Sequence, residues 1–425
     1  MKTRISNGRV IDPGAAFDQV TDIGIENGYI VFVGKTPADF LADETIDASG
    51  LVICPGLIDV SARLREPGLE SQAAMQSELR AAAAGGVTSL AIPPDTDPPL
   101  DEPGLVRMLK HQAKQMNLSR VYPIGALTVG MKGEKITEMG ELHQAGCVAF
   151  SQAEMPLINT VVLLRSMQYA STFSYPVWLR PQDPFLAHSG VAHDGNFATK
   201  RGLPAIPVAA EVIALYTNIE IAKETGARLH VQQISSKASL DLIKKAKQEG
   251  VDVTCDVSIH HLHLCDEDIG FYDCNCFVFP PLRSKADRDA LRRAVVEGTI
   301  DAICSDHAPV DDDDKMVPFA EAKPGMTALE LLLPLTLAWA KEEKIDLLEA
   351  LSAITSRPAA ILGVDEGQLA AGKAADLCIF DPEKIWTPSS ETLYSLGKNT
   401  PFIDRPISGK VVRTLVNGIS IYQEK

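Results

Sequence analysis

From residue 51 to about residue 340 the chain alternates short apolar runs with longer segments of helical period. The short runs are LVICPGLIDV, VTSLAIP, RVYPIGAL, CVAFS, YPVWLR, ARLHVQQI, VDVTCDVSI and DAICSD. Near-continuous apolar character over so few residues predicts strands buried on both faces. The helical segments between them include AAMQSELRAAAA, EPGLVRMLKHQAKQ, INTVVLLRSMQYA, PVAAEVIALYTNIEIAKETG, KASLDLIKKAKQEG and KADRDALRRAVVEG, and MTALELLLPLTLAWAKE closes the series. Eight strands each followed by a helix predict a parallel (β/α)8 barrel. The flanks have another rhythm: residues 2 to 48 and 364 to 422 carry short alternating strands punctuated by turn residues. Neither flank could bury a core alone, so the two ends are expected to meet as one small β domain. The expected division is 1–52 and 363–425 for that domain, with the barrel, 53–362, inserted between them.

Composition narrows the function more than the fold. The 425 residues are 45% hydrophobic and 23% charged, which suits a globular chain with a sizeable core. A formal charge of −16 opposes nucleic acid and anionic membranes as partners, since both demand basic patches. The start, MKTRISNGRVIDPG, has no apolar signal core, and no apolar run approaches the roughly 20 residues that span a bilayer. A cytoplasmic protein is expected. The eight cysteines are scattered, several within strand runs, and read as reduced and buried. The cluster HHLHLCDEDIGFYDCNC has no paired C-x-x-C spacing and is not read as a zinc knuckle.

In such a barrel the functional groups gather at the C-terminal ends of the strands. The first strand, within PGLIDVSARLREPG, should deliver Ser61, Arg63 and Arg65 to one face, because side chains two apart point the same way. Its Asp59-Val60-Ser61-Ala62-Arg63 has the form of a metal-gripping D-x-H-x-H from which both histidines are missing. Strand four ends in Phe150-Ser151-Gln152-Ala153, strand five in Leu179-Arg180, strand six in Gln232-Gln233, strand seven in Ile259-His260-His261-Leu262 and strand eight in Ser305-Asp306-His307.

LREPG, AAAAGGVT, the HHL after strand seven, PPLR, GTIDAICSDHAP and GKAADLCIFD, in this order along nearly the whole chain, resemble the dihydroorotase branch of the amidohydrolase superfamily. The resemblance implies a distorted (β/α)8 barrel with a β-sandwich built from both termini. It also implies metal ligands that this chain lacks. Where the family has two histidines on strand one, Ser61 and Arg63 stand. Where strand four supplies an Asp or carboxylated Lys, there are Ser151, Gln152 and Ala153. Arg180 and Gln233 replace the histidines of strands five and six. Asp306, the family's last ligand and proton shuttle, survives, as does Arg65. The family's substrate-binding asparagines are Asp95 and Phe279 here.

Zinc takes about four N, S or O donors, three of them from the protein at an open catalytic site. A guanidinium is charged at all accessible pH and coordinates no cation. Asp306 and Arg65 therefore read as vestigial, with no metal, no cofactor and no hydrolysis of a cyclic amide, which in the family depends on metal-activated water. Family members of this inactive kind partner aspartate transcarbamoylase. The resemblance thus implies a structural subunit of a hetero-oligomer with that enzyme's catalytic chain, serving its assembly and activity in pyrimidine biosynthesis. Two alternatives remain: an active dihydroorotase or related cyclic-amide hydrolase whose metal is held by His260, His261, His263 and Asp306, and a scaffold for some other partner. The bland readings are that His260 and His261 are hydrogen-bonded barrel histidines, that His307 bonds locally, that Asp311 to Lys315 form a solvated loop, and that Arg165, Arg292 and Arg293 lie on solvated faces. Arg63, Arg65 and Arg180 could shape an anion pocket, but an ion pair of Arg63 or Arg180 with Asp306 is favoured, because a lone buried carboxylate is costly.

Overall fold

A computed structural model describes residues 1–424. All eight expected barrel strands are present: Leu57–Asp59, Val87–Ile92, Arg120–Ala126, Ala149–Ser151, Val177–Leu179, Leu229–Val231, Val253–Ser258 and Ala302–Cys304. They are numbered barrel strands one to eight, and each pairs in parallel with the next. Their residues are almost all buried, as their apolar runs require.

The barrel does not close by a ladder between its first and last strands. Instead Ile58 N donates to Ile354 O and Ile303 N to Ala353 O, so a turn of chain wedges between strands one and eight at the bottom. At the top, beyond both strands, Ala62 bridges His307 and Arg63 N donates to His307 O at 2.8 Å. This split seam is the distortion, and it sets the backbone of the mouth residues from strands one and eight side by side.

The small domain joins strands from both termini in one mixed sheet. The N-terminal strands are Lys2–Asp12, Phe17–Glu26, Tyr29–Gly34, Glu44–Asp47 and Val52–Pro55; the C-terminal ones are Leu377–Trp386, Ile407–Val416 and Ile419–Gln423. Val52–Pro55 ties the halves together, parallel to Lys2–Asp12 and antiparallel to Leu377–Trp386. Ile5, Ile23, Ile53, Leu377 and Leu415 share one core. The boundary expected after residue 52 falls inside this joining strand. The handover to the barrel lies at Gly56, whose N–H donates to Asp376 O. An added Cβ at Gly56 would sit 2.1 Å from Thr88 Oγ1, so the chain crosses between domains where only glycine fits.

The long helices follow the expected segments, among them Met75–Ala84, Thr160–Thr172, Val208–Thr225, Lys285–Val296 and Leu332–Glu343. Shorter ones had no clear periodic signal: Met139–Ala145, Leu347–Ser352 and Ser356–Leu362, and two in the segment between Pro184 and Ile206. No helix of the described residues is long and apolar enough to cross a membrane. The cysteines are unpaired, and all but the half-buried Cys274 are buried.

Candidate functional site at the barrel mouth

Barrel strand one ends at Asp59, earlier than the sequence suggests. Asp59 is wholly buried and holds the turn that follows: it accepts from Ser61 N at 3.1 Å, from Ser305 N at 3.0 Å and from the Ser305 hydroxyl. Burial pushes its carboxyl up to about 6 against the pull of those bonds. Strands one and eight are thus laced together just below the mouth.

Above that lacing, Arg63 projects into the centre. Its Nε donates to Asp95 at 2.8 Å, its Nη2 to Glu154 at 2.8 Å, and its Nη1 approaches Asp306 at 3.4 Å. One buried guanidinium therefore joins carboxylates that follow strands two, four and eight. Burial opposes its charge, but the three carboxylates outweigh burial and hold its pKa above the ordinary arginine value. The same guanidinium holds Asp95 below the usual carboxylate range in spite of burial.

Asp306 is in a different state. Burial, with help from the charges of Glu154 and Asp256 and against that of Arg63, pushes its carboxyl up to about 8. It holds its proton at neutral pH. Gln233 Nε2 donates to Asp306 Oδ1 at 2.5 Å and to Ser61 Oγ at 3.1 Å, so three of the substituted positions bond to one another or through Asp306. The expected pairing of Arg63 with Asp306 is present as a contact, but the short ionic bonds of Arg63 go to Asp95 and Glu154. Asp95 is accordingly neutralised and does not stand free to repel an anion.

The other predicted residues do not converge. Gln152 turns away to bond Thr128 at 2.8 Å and Met131 O at 2.9 Å. Ala153, at φ 47°, donates its N–H to Ser151 Oγ and packs beside Ala126 and Met131. That left-handed turn swings Glu154 into the mouth. Arg180 bonds Gln182 Oε1 and Glu154 O, with its guanidinium over the Phe279 ring, and does not reach Asp306. Arg65 sits at φ 60° and donates to Pro309 O at 3.0 Å, so it leaves the face it would share with Arg63 on a continuous strand. No anion pocket results: the cavity beside Arg63, Arg65 and Asp95 holds about 10 Å³, and the one beside Arg180 about 40 Å³.

The histidines divide. His261 lies 2.5 Å from Ser258 Oγ and 3.3 Å from Pro281 O, and burial lowers it to about 4. His263 bonds Leu335 O. His307 lies 2.7 Å from the buried Glu78, a contact that reaches across from helix Met75–Ala84 rather than staying local, and its Nδ1 accepts from Ala328 N. His260 departs from expectation: it is fully buried, both ring nitrogens lack partners, and Nε2 is 3.7 Å from Asp306 Oδ2. Burial holds it well below the usual range, hence neutral. Arg292, expected on a solvated face, is buried against Glu342, Glu343 and Leu262 O. Lys315, expected in a solvated loop, anchors that loop by donating to Cys274 O and Gly325 O. Arg283 of PPLR bonds Ser235 Oγ and Ile206 O and flanks the buried Glu211, so this motif braces the wall.

These residues do not fit a metal. The central position is taken by a guanidinium, its nearest carboxylates are engaged with it, and His261 and His263 are turned to other partners. Among the described residues no three His, Cys, Asp or Glu side chains are grouped to hold an ion. Glu154 is the participant that the sequence pattern missed. Its signal was an acid one residue beyond the expected end of strand four.

Comparison with known proteins agrees with this architecture. Residues 50–239 match the dihydro-orotase-like family and residues 253–422 the amidohydrolase family. The chain is 43% identical to a dihydroorotase-like protein of Pseudomonas aeruginosa over 98% of its length and 99% of the relative's. It is 39% identical to a dihydroorotase of Syntrophotalea carbinolica, over 100% of this chain and 99% of that one. Among solved structures, the L-hydantoinase (dihydropyrimidinase) of Arthrobacter aurescens superposes with a TM-score of 0.89 at 24% identity, covering 99% of this chain and 96% of that one.

Proposed function

We propose that this chain, which belongs to the dihydroorotase-like family of amidohydrolases, is a non-catalytic member whose role is structural. On this reading it is a cytoplasmic subunit that binds the catalytic chain of aspartate transcarbamoylase and supports its assembly and activity in pyrimidine biosynthesis. One observation carries the non-catalytic half: Arg63 fills the mouth, bonding Asp95 and Glu154 beyond strands two and four and touching Asp306 beyond strand eight. A fixed cation there excludes a second one by repulsion, and its bonds leave no room for a cyclic amide. A barrel retained in full beside such a mouth is used for its surface. The partner is what the resemblance to inactive dihydroorotase homologues implies, and the name of the Pseudomonas aeruginosa relative, a dihydroorotase-like protein, supports the family.

The second reading, an active dihydroorotase, has the name of the Syntrophotalea carbinolica relative in its favour. It would need His260, His261, His263 and Asp306 around one ion. Only His260 and Asp306 face each other, so the arrangement favours the structural role. The test has two arms. Purified protein is analysed for zinc and assayed for dihydroorotase turnover with added zinc, manganese or cobalt; less than one equivalent and background rates are expected. Transcarbamoylase is then sedimented and assayed with and without this chain. Stoichiometric metal with turnover would sink the non-catalytic reading, and identical size and specific activity of the transcarbamoylase in both samples would sink the partnership.

A further inference from the structure

At the end of the barrel where the strands begin, opposite the mouth, a groove of about 520 Å³ runs between the barrel and the small sheet. One wall is helix Pro103–Met116, which follows barrel strand two. Its Val106, Leu109 and Ala113 are buried, while Lys110 and Lys114, one turn apart and therefore on one face, are exposed and line the groove. The floor is the entry to barrel strand three, where Val121 is buried. The far wall is Ile419–Gln423 of the small sheet. Alternation along that strand puts Ile419 and Ile421 on one side and Tyr422 on the other. Tyr422 packs on the main core, whereas Ile419, lining the groove, is left 68% exposed.

The charge of this groove is opposite to that of the molecule. The chain carries −16, yet among the described residues no Asp or Glu lines the groove, and Lys110, Lys114 and Arg120 do. Arg120 is already engaged: it pairs with Asp376 and Glu366 and donates to Asn417 Oδ1 at 2.5 Å. The ammonium groups of Lys110 and Lys114 are left uncancelled within the groove. An anion is repelled by most of an acidic surface and drawn to the place where cations stand without acids. An ammonium is a compact point charge and takes a carboxylate without requiring a fork of acceptors. The apolar walls are branched aliphatic apart from Tyr122, whose hydroxyl is tied to Glu366 at 2.7 Å, so they fit a flexible hydrocarbon body better than a stacked ring. Concave sites of about 300–1,000 Å³, largely apolar with a few placed polar groups, are the form in which proteins hold small molecules. We propose that this groove binds a small amphipathic anion, an aliphatic carboxylate, with its head at Lys110 and Lys114 and its hydrocarbon body across Val121, Ile419 and Ile421. Such a ligand touches the barrel and the small sheet at once, so it ties the two together and stabilises the folded chain by mass action. Arg63 lies beyond the other end of the strands, so the site is independent of the mouth.

The test is isothermal titration of the full chain with decanoate at low salt, where screening is weak. Saturable binding of one decanoate per chain is expected. Decanol, the same body without the charge, should bind at least about tenfold more weakly, and inorganic phosphate, a charge without the body, should not bind measurably. Lys110→Glu with Lys114→Glu should weaken decanoate binding at least about tenfold. Lys244→Glu with Lys245→Glu makes the same change of net charge at exposed positions of another helix and should leave the affinity within about twofold. Circular dichroism should be unchanged in both variants, because all four lysines are exposed. A second readout needs no variant: saturating decanoate should slow acetylation of Lys110 and Lys114 by acetic anhydride at least about threefold and leave Lys244 unaffected. Absence of saturable decanoate binding overturns the proposal. So does decanol binding as tightly as decanoate, an affinity indifferent to charge reversal at Lys110 and Lys114, or acetylation of those two lysines at an unaltered rate.

Discussion

Replacing Asp306 with asparagine is expected to stabilise the protein, and to do so increasingly as pH rises. A free aspartate titrates near 4, whereas Asp306 is pushed up to about 8 by burial and by the charges of Glu154 and Asp256. Above its unfolded pKa the unfolded chain has released this proton while the native barrel retains it. Where the unfolded state binds fewer protons, stability falls with pH. The loss therefore develops from about pH 4 and is complete above about pH 8. At about 1.4 kcal/mol for each pKa unit, the full separation corresponds to an upper limit near 6 kcal/mol, taken from about 4 to about 8, and relaxation around the ionised group brings the expected effect to about 2–4 kcal/mol. Asparagine cannot ionise, so it escapes this loss. It keeps Oδ1 as acceptor for Gln233 and offers an N–H toward His260 Nε2, which has no partner in the native protein. The assay is urea unfolding of both proteins from pH 5 to pH 9, followed by the fluorescence of Trp178 and Trp339, which are buried in the barrel. The stability difference should be small at pH 5 and grow steadily to pH 8. A difference that stays flat across that range, or one that shrinks as pH rises, would refute the reasoning.

Other substitutions probe the same network. Arg63→Met should cost about 3 kcal/mol at pH 7 by chemical denaturation, the lower end for breaking a buried ion pair, because Asp306 is already neutral and the partly exposed Glu154 can rehydrate; the cost should shrink as pH falls, because the buried Asp95, freed of the guanidinium that holds it ionised, can take up a proton. Ser61→His with Arg63→His should show only background dihydroorotase turnover with added zinc, since strands four, five and six still lack ligands, and measurable turnover would expose a hidden donor set. Glu78→Ala should lower stability by about 3–5 kcal/mol, because it leaves His307 and the Ser395 hydroxyl without their partner in a fully buried site; an unchanged unfolding midpoint would contradict that.

The barrel was legible because each strand is buried on both faces and so had to be written as an unbroken apolar run. The small sheet is legible only as two incomplete halves, and Ile53–Pro55 reads as barrel because VICPGLID is one apolar run across two domains. At the site, the side chains that cannot coordinate a cation, Arg63, Ala153 and Arg180, could be read from the sequence, but the contacts that they make could not. Arg63 meets partners 32, 91 and 243 positions away, and which side chains reach it is decided by how the barrel seam closes. Glu154 depended on a left-handed residue at Ala153, which no periodicity reports in a non-glycine. Arg292 read as solvated because its burial depends on Glu342 and Glu343 of a helix some 50 positions on, a packing relation rather than a local one.

The mouth is therefore closed by bonds rather than left vacant. Removing a metal and its histidines from a barrel would strand the remaining carboxylates in a low-dielectric interior, a cost of several kcal/mol per charge. Here a single arginine beyond the end of strand one supplies the cation, two acids take it up at 2.8 Å, and the third acid avoids the cost by holding its proton. Gln233 then satisfies that neutral acid and Ser61 together. Any ligand entering from above would have to break two charge-assisted bonds whose partners it could replace only by carrying both a cation and acceptors of its own. Such a centre holds the seam between strands one and eight and fixes the loops around it, Glu154 among them. That loop continues directly into the exposed Met155 and Ile158. The guanidinium that fills the mouth thus also anchors this surface loop through Glu154, and changes to Arg63 should be felt in the order of the loop as well as in stability.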